Sequence, residues 1–168
     1  AGREVWTLGL CPTPAIPGAI RRLGAAGGLM VSASHNPPHD NGIKVFGASG
    51  AKLSRGQQQA IEAGLQGVGG GPGAPGGFNG IGVVRDRHDL LADYQRALLA
   101  SVMGRRLEGC RIVLDLCWGS ATACGEAVFR ALGAELTVLH GQPDGARINV
   151  GCGSTHLQPL RQAVVENG

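Results

Sequence analysis

GLMVSASHNPPHDNGIKVFGASGAKL, residues 28–53, is the stretch that decides the fold. Leu29, Met30 and Val31 form a short apolar run consistent with a buried strand, and Ile43 to Phe46 reads as the next strand. Between them, Ser32 to Gly42 consists almost wholly of turn formers, and Pro37-Pro38 forbids helix through its middle. This predicts a loop at the end of a strand, the position where α/β sheets place their ligands.

Working outward toward the N-terminus, residues 4–10 (EVWTLGL) read as a strand, followed by a turn at Pro12 and Pro14. Ala15, Ile16, Ala19, Ile20 and Leu23 recur at helical spacing, and Gly27-Gly28 is expected to end that helix. Toward the C-terminus, Arg55 to Leu65 reads as a helix. Residues 67–80 (GVGGGPGAPGGFNG) hold too much Gly and Pro for regular structure, which predicts a flexible surface connection with a domain boundary nearby. The division that follows is 1–80 and 81–168.

Beyond it, Leu90, Leu91, Tyr94, Ala97, Leu98 and Val102 share one face of a helix over 88–102. Arg111 to Leu116 reads as a strand, and CWGSATACG (117–125) as a strand-to-helix turn capped by Ser120 or Thr122. A helix through Leu132, closed by Gly133, leads to a strand over Glu135 to Leu139. That is one βαβ unit, with parallel strands and a right-handed crossover. A last helix is expected over 155–165, with Thr155 as its cap. The fold class is α/β.

The bulk composition narrows the function. The 168 residues are 43% hydrophobic with 30 glycines, which suits an α/β protein rich in tight turns. The net charge of +3 is spread thinly, without a run of Lys and Arg, so nucleic-acid binding has little support. No apolar stretch approaches the roughly 20 residues of a membrane helix, and no basic segment followed by an apolar one opens the chain. Cys11, Cys110, Cys117, Cys124 and Cys152 lack C-x-x-C spacing and read as reduced, partly buried thiols of a cytoplasmic protein. The chain begins at Ala and ends inside a predicted helix, so both ends read as cut.

The loop carries the chemistry. Phosphoryl transfer needs a nucleophilic oxygen, a route for its proton and positive charge near the phosphate. Ser34 offers the oxygen on an exposed turn, while His35 and Lys44 are the nearby groups that can move protons. Gly42 permits close backbone approach, and loop amides can hold an anion. Taken alone, these residues fit better a plain polar turn in which Ser34 and Asn36 bond their own backbone. His35 and His39 stand four apart, but the intervening prolines remove the helical geometry that a zinc pair at that spacing needs.

A resemblance decides between these readings. Residues 28–53 are similar throughout to the active-site segment of the α-D-phosphohexomutases: S-x-S-H-N-P, D-N-G-I-K and G-x-K-L stand in family order and spacing. Their form is most like the branch that acts on glucosamine phosphate. LCPTPAI (10–16) resembles the segment before the active-site strand. LDLCWGSATACGEAVFRALGA (114–134) resembles the opening of the second domain, and QPDGARINVGCGSTHL (142–157) the stretch ahead of the family's metal loop.

The resemblance implies parts of two consecutive α/β domains. It makes Ser34 the phosphoserine and a ligand of Mg²⁺ through its phosphate, Lys44 a general acid or base, and His35 a group that orients or exchanges protons. It implies a sugar phosphate substrate and a ping-pong cycle through a bisphosphate. The family's D-G-D-x-D-R metal loop does not occur in these residues; Asp144-Gly145 comes nearest. The chain is therefore expected to be an internal fragment without turnover of its own. Competing readings are a phosphomannomutase or phosphoglucomutase of the same family, an anion- or nucleotide-binding α/β module built on Gly119 to Gly125, and a catalytically dead remnant, which the missing metal loop would also explain. The oligomeric state is not legible.

Overall fold

The computed structural model describes residues 3–66 and 82–167; the glycine-rich stretch at 67–80 lies outside the described residues. Its elements are β1 (Glu4–Thr7), α1 (Ala15–Leu23), β2 (Gly27–Val31), β3 (Ile43–Gly47), α2 (Arg55–Leu65), β4 (Val83–Asp86), α3 (Asp89–Ser101), β5 (Arg111–Asp115), α4 (Gly125–Ala131), β6 (Glu135–Leu139) and α5 (Gln158–Asn167). The strands form three two-stranded sheets: β1 with β4, β2 with β3, and β5 with β6.

α1 forms because its apolar residues fall on one stripe, burying Ala15 and Ile20, while Arg21 and Arg22 sit in the last turn, where positive charge suits the carbonyl end of the helix. The helix ends earlier than the glycine pair suggested. Gly24 adopts φ 65° and its amide bonds back to the Ile20 carbonyl, so Gly27 and Gly28 are free to enter β2. Gly28 is needed for close packing instead. A Cβ there would lie 2.7 Å from Ile16 Cγ2, so only glycine lets α1 lie directly on the strand.

β2 and β3 pair antiparallel, with Met30 opposite Lys44 and Val31 opposite Ile43. β2 is not the buried strand that its apolar run suggested. Leu29 and Val31 are 64% and 65% exposed, and Ile43 is 70% exposed, because α1 covers only the opposite face. α2 buries no residue; it is held at its start by a reciprocal capping box, in which Ser54 and Gln57 bond each other's backbone amides.

β4 was not anticipated. Its four residues all lie exposed, and it is a strand because it pairs in parallel with β1, Glu4 opposite Val83 through Thr7 opposite Asp86. β1 itself stops at Thr7, short of the expected residue 10. α3 follows at once and packs on α1, with Arg22 and Arg96 both paired to Asp93. Residues 83–101 thus return to elements of the first half.

The second half is the expected βαβ unit. β5 and β6 run parallel, Arg111 opposite Glu135 through Asp115 opposite Leu139. α4 packs on β6 and α5 on β5. Leu116, Cys124, Leu132, Ala134, Cys152 and Ala163 are buried among these elements. The caps differ from expectation. Ser120–Ala123 is a 3₁₀ turn without a side-chain cap, and Thr122 Oγ1 instead donates to the Gly119 carbonyl at 2.7 Å. Thr155 closes a second short 3₁₀ turn, Gly153–Thr155, so the last helix starts at Gln158 rather than at residue 155. Gly133, at φ 94°, ends α4 as anticipated.

Candidate functional site

The loop after β2 is tied at its base by two reciprocal bonds: the Ser32 amide to the Gly42 carbonyl at 2.9 Å, and the Gly42 amide to the Ser32 carbonyl at 3.1 Å. These extend the β2–β3 ladder by one pair and leave residues 33–41 to form the turn. Within it the Asn36 amide bonds the Ala33 carbonyl and the Asp40 amide the Pro37 carbonyl. Gly42 has no close neighbour that demands glycine, since a Cβ there would stand 3.5 Å from the Ser32 carbonyl oxygen.

Ser34 sits at the tip in the left-handed region, φ 58°. An L-residue holds that conformation at a cost of roughly 1–2 kcal/mol, so neighbours must fix it. One is Ser32, whose Oγ accepts the Ser34 amide proton at 3.0 Å. Ser32 is thus a loop-shaping residue. Ser34 and His35 are exposed, and Lys44 is half-buried on β3.

Ser34, His35 and Lys44 line one cleft of about 640 Å³. Thr13 lines it from the turn before α1; Asp115, Asn149 and Ser154 line it from the second half. The three residues singled out from the sequence therefore share one cavity, and the second half supplies its other wall.

That wall is organised around Asp115 at the end of β5. Its side chain is 4% exposed. Oδ1 accepts the Cys117 amide at 2.9 Å and lies 2.8 Å from His140 Nδ1, while Oδ2 accepts the Gly153 amide at 2.9 Å. One carboxylate thereby gathers three chain segments. Burial pushes its pKa up, but the bonds from Gly153, His140 and Cys117 outweigh burial and hold it below the ordinary carboxylate value.

Cys117 and His140 both take left-handed backbone, φ 56° and 52°. The thiol of Cys117 is pushed up to about 12, by burial first and by the Asp115 carboxylate second, so it stays protonated. The segment after β6 is sewn onto the same turn. The Asp144 amide bonds the Trp118 carbonyl at 2.9 Å, and the Arg147 guanidinium lies 3.8 Å from the Trp118 ring centre. Asp144 pairs with Arg147 at 2.6 Å, which occupies the acid of the Asp144-Gly145 pair that comes nearest in wording to the expected metal loop.

Ligand atoms of Asp115, His140 and Cys152 lie within 4.8 Å of one another. They do not fit Mg²⁺, which takes six oxygen donors. Among the described residues the cleft lining offers one carboxylate, Asp115, and three protein donors already hold its oxygens. The other two groups are nitrogen and sulfur, and Cys152 is fully buried. The cluster is a hydrogen-bonded junction. The expected Mg²⁺ has no oxygen cage among these residues.

Asn149 joins the two walls. Its Nδ2 donates to the carbonyls of Ser34 and Asn36, both at 2.9 Å. Neither Asn149 nor Asp115 was singled out from the sequence. The I-N-V-G-C-G-S-T wording around Asn149 held the signal, but its partners lie 115 and 113 residues away. The turn at Gly119 to Gly125, candidate for a nucleotide site, is instead filled by its own 3₁₀ turn and leads into a helix of seven residues.

Residues 1–68 match the family described as phosphoglucomutase/phosphomannomutase, alpha/beta/alpha domain I. Over all 168 residues the chain is 69% identical to the phosphoglucosamine mutase of Prochlorococcus marinus (strain MIT 9303) and 69% to that of Synechococcus sp. (strain CC9311). It spans 36% of the length of each. In structure it is similar to a phosphoglucomutase/phosphomannomutase family protein of Burkholderia thailandensis, with TM-score 0.72 and 23% identity, over 96% of this chain and 35% of that one.

Proposed function

We propose that the chain is part of a phosphoglucosamine mutase of the α-D-phosphohexomutase family, an isomerase that moves phosphate within glucosamine phosphate through phosphorylated Ser34. The observation that carries this reading is the shared cleft: Ser34, His35 and Lys44 face it together. The substrate class comes from the relatives' names and from the S-A-S-H-N-P and D-N-G-I-K wording.

In the proposed cycle, a hydroxyl of the sugar phosphate attacks the phosphorus on Ser34; the new O–P bond forms as the bond to Ser34 Oγ breaks. Lys44 is the group proposed to take the hydroxyl proton, and His35 to orient or exchange it. The bisphosphate turns over in the cleft, its other phosphate returns to Ser34 Oγ, and the proton goes back to the sugar oxygen released. Mg²⁺ would supply charge neutralisation at the phosphate; its protein ligands other than the Ser34 phosphate are proposed to lie on the longer parent protein.

The division into 1–80, bearing the phosphoserine loop, and 81–168 is kept as a proposal about the parent's domains. β4 and α3 are then the elements that link them. Two further proposals are that the 168 residues have no turnover alone and that the parent works in the cytoplasm. Among the described residues no helix is long and apolar enough to cross a membrane. Phosphomannomutase or phosphoglucomutase activity is the second reading, supported by the family match over residues 1–68.

The test is made on the full-length parent. Ser34→Ala is expected to abolish turnover in a coupled assay and to remove the single phosphate seen by intact-mass measurement. Near-normal rates in that variant would sink the assignment. Rates compared across glucosamine, mannose and glucose phosphates separate the two readings.

A further inference from the structure

We propose that Asn149 is the positioning residue for Ser34, a clamp through which the second half holds the phosphate-carrying loop in its working conformation. The proposal rests on the reading of Ser34 as phosphate carrier. Among the described residues, the two bonds from Asn149 are the hydrogen bonds that join residues 32–42 to the second half. The amide group spends both of its hydrogens there, one on the Ser34 carbonyl and one on the Asn36 carbonyl, which fixes its orientation.

Asn149 is itself held firmly. It takes the left-handed conformation, φ 62°, which Asn tolerates better than most residues. Its backbone amide bonds the Cys117 carbonyl at 3.3 Å, and the Cys117 amide bonds Asp115. An unbroken path therefore runs from the buried carboxylate through Cys117 and Asn149 to Ser34. Ser34 is strained at φ 58°, and its carbonyl is one of the two groups that Asn149 grips. Release of that carbonyl lets the residue relax toward extended backbone, which swings Oγ away from the cleft. Misplacement of a reacting group by about 1 Å costs on the order of 100-fold in rate. Because Asn149 grips backbone rather than substrate, the loss falls on kcat.

In the full-length parent, Asn149→Asp keeps a residue that tolerates the left-handed backbone but turns an acceptor toward two carbonyls. Asn149→Gly keeps the backbone and removes the side chain. Both are expected to lower kcat about 10–100-fold, with KM for the sugar phosphate within about twofold and the melting temperature little changed. A kcat within about twofold of the parent in either variant, with Ser34→Ala inactive, overturns the clamp and leaves the Ser34 reading standing. A loss of kcat that merely follows the loss of folded protein overturns it too. If Asn149→Asp does not fold, Asn149→Gly decides. An active Ser34→Ala protein overturns the underlying reading instead.

Discussion

Two strand ends face each other across the cleft, and they are built in opposite ways. The turn after β2 is exposed, holds a strained serine at its tip, and hangs on a hairpin whose outer face lies open at Leu29, Val31 and Ile43. The turn after β5 is sealed around a carboxylate that three segments share, between strands whose residues are mostly half-buried under α4 and α5. A serine proposed to carry phosphate must be reachable, and the first turn leaves Ser34 open. The second turn is closed on itself, and Asn149 beside it reaches the first through two hydrogen bonds. Substitutions in the two turns should accordingly separate activity from folding.

The sharpest contrast, after the loss of turnover expected for Ser34→Ala, is Lys44→Ala. It should lower turnover about 10²–10⁴-fold in the parent if Lys44 is the acid–base group. The protein should stay folded, since Lys44 lies on the half-open hairpin. Steady-state kinetics beside a thermal melt would show it; a parallel loss of both would break the contrast.

Asp115→Ala should behave the other way. It leaves the amides of Cys117 and Gly153 and the ring of His140 without their acceptor, at about 1–3 kcal/mol for each buried group left unpaired. Chemical denaturation of the parent and the variant would measure the loss. The pH dependence has a defined sign. Because the folded protein holds Asp115 below its ordinary pKa, this group stabilises above the ordinary carboxylate value, and that share is lost as pH falls from there through the lowered value. An acid titration of Asp115→Asn should lack this component. A variant whose acid unfolding matches the parent's would count against the junction.

The smallest effect is chemical. Cys110 is exposed, whereas Cys117 is half-buried with its thiol raised to about 12 and Cys152 is buried. Iodoacetamide at mildly alkaline pH should label Cys110 well before the other two, as read by peptide mass. Equal labelling would mean that the second turn is not closed.

How much of this was legible follows from how local each feature is. α1, α2, β3 and β6 could be read because their periodicity and turn residues lie within a few positions. β4 could not be read. Val83 and Val84 precede Arg85 and Asp86 without alternation, and only pairing with β1 makes them a strand. The caps at Ser120, Thr122 and Thr155 were misread because bonds to Gly119 and Asp115 had already shaped those turns. Ser34, His35 and Lys44 stood out through their wording. Asn149 did not, because its role exists only after two distant segments meet.

The pairing of β1 with β4 also sets a schedule. Glu4 finds its partner at Val83, 79 positions later in the chain. At a synthesis rate of about 5–20 residues per second, β1 waits several seconds before its partner is made. During that interval the edge of β1 that β4 covers is unpaired, while the hairpin of β2 and β3 closes from neighbours already in hand. Vulnerability on the ribosome therefore concentrates at β1 rather than at the strained serine. A slow stretch of codons between residues 7 and 83 would lengthen it.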